Sequence, residues 1–271
     1  MEDDAVPVLA AIRGAFGTST RLPGLASDLV VADPVGWTAA DGDVEPLLAA
    51  ARRHWPAPPH VAAALMWKAY SYWLALPVAF SWVAARRVPR VAASDVLIQL
   101  DSPQAPIRLG LRTAIPAAVL ASDPLLSHPP ASALLSHPPV SPPVAGPAVS
   151  VVADEAALLE EVRRVLVGEH VEPLIEAVQR VVRVGRRPLL GSLAANLAHA
   201  TRHAVRAVPG ASAREVGTLL AGLGLDGLVE WSADPAGLVT VRRRTCCLAF
   251  TLPQPRLCTD CCFSPEQMSG A

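Results

Sequence analysis

Five cysteines, Cys246, Cys247, Cys258, Cys261 and Cys262, carry the most specific chemistry in this sequence. The 245 residues before them contain no other cysteine. A disulfide scaffold spreads its cysteines along the chain and usually holds an even number, so that class is excluded. Thiols concentrated in one segment point first to metal binding. Structural zinc sites draw on two separated pairs with two to four residues between the members. Cys258 and Cys261 satisfy that spacing, but Cys246 and Cys247 are adjacent. Neighbouring side chains on an extended segment point to opposite faces, which makes them poor joint ligands for one small ion. An iron–sulfur cluster is larger, and vicinal thiolates can reach it where the backbone turns locally. Four cysteine thiolates are the usual complement of a [2Fe–2S] centre. Spacing alone therefore ranks an iron–sulfur cluster ahead of zinc, with a redox dithiol behind both.

The run Cys246-Cys247-x10-Cys258-x2-Cys261 resembles the C-terminal signature of the FhuF-like ferric-siderophore reductases. In that family, cysteines in C-C-x10-C-x2-C spacing bind an unusual [2Fe–2S] cluster. The match is complete at all four positions. The rest of the chain is similar only in general character, with an aromatic, apolar N-terminal helix and a helix-rich segment before the cysteines. Cys262 departs from the pattern, which needs no fifth thiol; it can substitute for Cys261, stay free or be oxidised.

The resemblance implies a ferric-chelate reductase whose cluster ligands are Cys246, Cys247, Cys258 and Cys261. A ferric hydroxamate-type siderophore would receive one electron and release Fe(II), because hard oxygen donors hold Fe(III) far better than Fe(II). The electron would come from an external donor such as a ferredoxin-like protein. The competing expectation is a zinc-stapled helical binding module without redox turnover; a siderophore-related protein that has lost turnover is a third. Arg242, Arg243 and Arg244 immediately precede the cysteine segment. Guanidinium groups near an anionic cluster would raise its potential or steer an acidic donor. Three arginines on a solvated strand end explain them equally well. Catalytic residues beyond the ligand set are not legible.

The elements that must position this segment come from a chain of 271 residues, 52% hydrophobic and 17% charged, which is enough to bury a core. A net charge of −1 gives no bulk attraction for nucleic acid. Lys68 is the only lysine among 23 basic residues. The opening Met1-Glu2-Asp3-Asp4 is acidic where a secretory signal would be basic, so a cytoplasmic protein is expected. Ala69 to Ala85 is a 17-residue stretch without charge, bounded by Lys68 and by Arg86-Arg87. A spanning helix needs about 20 apolar residues. A buried core helix is therefore expected, with peripheral membrane contact allowed but not required.

The fold class expected is α+β, predominantly α-helical, with a small antiparallel β element and a C-terminal cysteine-rich segment. A short helix is read over 43–55, and a longer one from His60 toward Ala85 with a kink at Pro77. Trp67, Tyr70, Leu74 and Val78 form a core stripe along the longer helix. Val96, Ile98 and Leu100, then Ile107, Leu109 and Leu111, alternate as a β-hairpin. Further helices are read from Asp154-Glu155, from Pro173 to about Val184, after Pro188, and from Ala213 to Leu223, followed by a strand at 238–241. Leu125-Leu126-Ser127-His128-Pro129-Pro130 recurs as Leu134-Leu135-Ser136-His137-Pro138-Pro139. That proline density reads as a loop or linker. The divisions are a helical region with a hairpin over 1–122, a Pro-rich linker over 123–149, and a helical region over 150–271 with the motif at 240–263, all packed as one globule.

Two weaker signals are set aside. Gly222-Leu223-Gly224-Leu225-Asp226-Gly227 matches G-x-G-x-x-G formally, but a helix precedes it where a dinucleotide fingerprint requires a strand. His199 and His203 share a helix face at a chelating spacing, without the intervening glutamate of a zincin.

Overall fold

The computed structural model describes residues 6–17, 22–102, 105–127 and 148–263. The first half contains α1 (Val6–Phe16), β1 (Leu25–Val30), β2 (Thr38–Ala39), α2 (Glu45–His54) and α3 (Pro59–Ala85). After these come β3 (Arg87–Val88), β4 (Val96–Ser102), β5 (Ala105–Leu111), β6 (Ala118–Leu120) and the single turn α4 (Pro124–Ser127). The second half runs β7 (Ser150–Val152), α5 (Glu155–Val162), a π-helical stretch (Arg163–Val171), α6 (Glu172–Val181), α7 (Arg186–Ala207) and α8 (Arg214–Gly222). It closes with β8 (Val229–Ala233) and β9 (Val239–Arg243). The architecture is α+β with small sheets around a mainly helical body. The repeat Leu125 to Pro139 lies mostly outside the described residues.

α3 is the axis of the molecule. Two prolines, Pro58 and Pro59, open it, where a missing N–H breaks no helical bond. Its residues are apolar on every side, as suits a helix buried all round. Trp67, Tyr70, Leu74 and Val78 are all buried as core. Pro77 lies inside the helix. α3 stops at Arg86, whose backbone is left-handed (φ 50°) and whose guanidinium reaches Glu155 and Glu215. No helix among the described residues is long and apolar enough to cross a membrane.

α7 lies along α3, and α1 and α2 pack on it too. Small residues make the close approach possible: Gly191, Ser192, Ala194, Ala195 and Ala198 of α7 are all buried. Trp67 donates from Nε1 to the Leu189 carbonyl at 2.7 Å, tying the two helices.

The alternating run does form an antiparallel hairpin, with Val96 opposite Leu111, Ile98 opposite Leu109 and Leu100 opposite Ile107. It is the centre of a four-stranded sheet ordered β1-β5-β4-β2, in which β1 runs parallel to β5. A second sheet is ordered β3-β6-β7, and β8 and β9 form a separate antiparallel pair. One hydrophobic core draws on both halves, from Val8 to Val239.

The helix expected to begin at Pro173 is instead continuous with the one before it. Asp154 caps the start by accepting a hydrogen bond from the Ala157 N–H. The chain then widens into π turns, and the Glu172 N–H reaches back to the Val167 carbonyl. Pro173 has no N–H to offer, and the wider turns rephase the ladder just before it. His170 of this stretch is fully buried. Its Nδ1–H donates to the Val91 carbonyl at 2.6 Å, which leaves Nε2 to accept the Tyr70 hydroxyl proton. Burial keeps the imidazole neutral, with its pKa down at about 4.

Candidate functional site

β9 delivers the cysteines. It ends at Arg243, and the chain then passes along α7 through Thr245 to Cys246 and Cys247. Gly191 permits that passage, because a Cβ there would stand 1.9 Å from Thr245 Oγ1 and 2.8 Å from Thr245 Cβ. At Leu248 the backbone turns left-handed (φ 66°), so the segment folds back directly after the vicinal pair. Cys247 and Ala249 then pack on Val61 and Leu65 of α3, with Trp55, Leu252 and Cys258 around them. A turn in which the Cys261 N–H bonds the Cys258 carbonyl at 3.1 Å brings in the last cysteines.

A buried polar network holds this segment to the helices. The Arg243 guanidinium donates from Nε to Asp260 Oδ2 at 2.7 Å and from Nη1 to Ser192 Oγ at 3.2 Å. Its backbone N–H bonds the Asp260 carbonyl at 2.8 Å. His199 Nε2 lies 3.0 Å from the same Asp260 oxygen and must be the donor, since a carboxylate only accepts. Burial alone would push the Asp260 carboxyl up; the His199 hydrogen bond and the Arg243 charge outweigh it and hold the group far below the usual carboxylate range. Asn196 continues the network, donating to the Lys68 carbonyl and to Ser71 Oγ, each at 2.9 Å.

The thiols stand in two groups. Cys247 Sγ and Cys258 Sγ are 3.2 Å apart, well beyond a disulfide bond length. Lys68 Nζ lies 2.7 Å from Cys258 Sγ and 3.9 Å from Cys247 Sγ. The pair titrates as a unit. Its first proton leaves readily: the hydrogen bond from Cys258 lowers Cys247 to about 6 against the opposing effect of burial, with Lys68 assisting. The second proton is held, and Cys258 is pushed up because its thiol hydrogen is engaged by Cys247.

Cys246 and Cys262 interact electrostatically with each other and with Cys261. Burial pushes the Cys246 thiol up to about 11, and burial raises Cys262 as well. Backbone donors already face two of these sulfurs: the Leu248 N–H is 3.2 Å from Cys246 Sγ, and the Phe263 N–H is 3.4 Å from Cys261 Sγ.

Among the described residues, no group of three or more His, Cys, Asp or Glu side chains is gathered to hold one metal ion. Four thiols, two of them facing backbone N–H donors, are the ligand type that a [2Fe–2S] cluster takes. Cys262 interacts with Cys246 and Cys261.

The three arginines part company. Alternation along β9 turns Arg243 inward and leaves Arg242 and Arg244 exposed. Arg242 Nη2 donates to the Cys262 carbonyl at 3.4 Å, and Arg244 pairs with Glu230 at 3.3 Å on the surface. Arg243 is committed to Asp260, although its charge also lowers the Cys247 pKa. The group that contacts the sulfurs directly is Lys68, which motif spacing does not reveal. Its available signal is that it is the only lysine and lies inside an otherwise uncharged helix. His199 hydrogen-bonds Asp260, while the His203 ring lies tilted against Phe16 with centroids 4.7 Å apart. No protein-family model matches the chain, and no curated protein matches it.

Proposed function

We propose that the chain holds a [2Fe–2S] cluster on Cys246, Cys247, Cys258 and Cys261 and acts as a ferric-siderophore reductase. One electron from an external donor would pass to a bound ferric hydroxamate-type chelate, and the Fe(II) formed would leave it. The observation that carries this reading is the division of the cysteine segment into two thiol groups fastened to a helical body. When bound, the cluster supplies a one-electron carrier.

The chain's own residues supply the rest. Val61 and Leu65 exclude water from the Cys247 side. The Leu248 and Phe263 N–H groups donate to sulfur and favour its charged form. Arg243, Asp260 and His199 fix the turn that carries Cys258 and Cys261. Leu257 and Phe263, each next to a cysteine in sequence, are exposed, and Phe263 packs edge-on against Phe250 at 5.3 Å. A bulky chelate that approaches the sulfurs would find these exposed apolar side chains available to pack on.

Anaerobically purified protein is expected to be reddish-brown and to contain about two irons and two labile sulfides per chain. It should release ferrous iron from a ferric hydroxamate when driven by a chemical reductant. One zinc per chain with no labile sulfide would overturn the reading in favour of a zinc-stapled module. A cluster-bearing chain that releases no ferrous iron would retain the cofactor assignment and overturn the reductase.

A further inference from the structure

Lys68 is the cation in contact with sulfurs of the cysteine segment. The side chain leaves α3 at a point where the helix is otherwise apolar and mostly buried. A cation in such a position requires a partner, because desolvation penalises an uncompensated charge. Among the described residues, no carboxylate pairs with Nζ, and its hydrogen-bond partners are Cys258 Sγ at 2.7 Å and Cys247 Sγ at 3.9 Å. The backbone beneath it is fixed as well, since the Lys68 carbonyl accepts from Asn196 Nδ2 at 2.9 Å. The arginines do not compete for this role. Arg242 and Arg244 face solvent, where their charge is screened, and Arg243 is paired with Asp260.

We infer that Lys68 sets the reduction potential of the proposed cluster by donating a charged hydrogen bond to the sulfur of Cys258. The inference rests on the assignment of the four cysteines as cluster ligands. Reduction adds one negative charge, part of which falls on the ligand sulfurs. An ammonium held against one of them stabilises the reduced form more than the oxidised form and raises the potential. Lys68 thus acts as a potential-setting residue for electron uptake from the donor, and no chemistry at the chelate is asked of it.

The test begins with iron and sulfide analysis of the wild-type protein. Absence of both overturns the ligand assignment, and this inference with it. In loaded protein, Lys68→Met is expected to weaken electron uptake roughly tenfold, which for one electron is a fall of about 59 mV in midpoint potential. Lys68→Arg, which keeps a charged donor, should stay near the wild-type value. A fully loaded Lys68→Met protein with an unchanged midpoint overturns the inference while leaving the cluster in place. If Lys68→Met does not load, the unmutated protein decides. Because Lys68 is the only lysine, growth on lysine labelled with 15N at Nζ puts one labelled ammonium in the chain. The reduced state should then show a 15N hyperfine coupling in pulsed electron paramagnetic resonance; its absence overturns the inference.

Discussion

Asp260 lies between Cys258 and Cys261 and is the point where the cysteine turn meets the helices. Its carboxylate and the Arg243 guanidinium are almost wholly buried, with side chains 6% and 2% exposed. Removing one member of a buried pair strands the other charge, which typically costs about 3–5 kcal/mol. Arg243→Met should therefore destabilise the protein by an amount of that order, read as a lowered urea midpoint. Arg244→Met, which breaks only an exposed pair with Glu230, should change it by less than about 1 kcal/mol. The thiols differ at the same scale. Cys247 is buried and lies between Lys68 and the apolar seat, so Cys247→Ser should abolish the visible absorbance and iron content of the loaded protein. Cys262→Ser should retain both, since four thiols remain in the two groups. The reverse pattern would make Cys262 a ligand.

At the scale of elements, the approach of β9 to α7 depends on Gly191. Alanine is the better helix former by about 1 kcal/mol, so a helix judged alone would gain from Gly191→Ala. The methyl would instead meet the buried Thr245 side chain, and overpacking of this kind typically costs about 1–3 kcal/mol. The expected outcome is a lower melting temperature together with faster reaction of the metal-free thiols with a disulfide reagent. Unchanged thiol reactivity would mean that Thr245 does not tether the segment. The same contact shows where sequence reading stops. Alternation at Val96–Leu111 and the 3.6-residue stripe of α3 are local patterns, and both elements form as expected. β1 has no such alternation and pairs in parallel with a strand about 80 residues away, which leaves no local trace. The cysteines are close in sequence, so their gathering in one segment is legible. Their supports, Lys68, Ser192, Asn196 and His199, come from α3 and α7, and residue type alone does not say what lies opposite. Nothing in Arg-Arg-Arg marks which side chain the strand turns inward, so Arg243 is indistinguishable from its neighbours in the sequence.

For the whole molecule, His170 joins three parts of the fold: α3 through Tyr70, the π-helical stretch on which it sits, and the loop at Val91 before β4. Burial holds its pKa at about 4, against the opposing Val91 hydrogen bond and Asp41 charge, while an unfolded chain would titrate near 6.5. Between those values the unfolded chain binds a proton that the folded chain does not. Stability therefore rises with pH across that window and is complete above about 6.5. Lowering the pH from 7 to 5 should remove roughly 2 kcal/mol, from about 1.4 kcal/mol per pH unit below 6.5. That is a substantial part of the roughly 5–15 kcal/mol that holds a typical domain together. His203 is depressed to about 4 too, by burial first and then by Arg202. It is only partly buried beside Phe16, so its share is smaller and is removed separately by His203→Asn. His170→Gln offers Val91 a donor and Tyr70 an acceptor without a titrating group. Its urea midpoint should be nearly flat from pH 7 to 5 in the His203→Asn background. A slope as steep as that of wild type in the double variant would show that the acid sensitivity of this fold lies elsewhere.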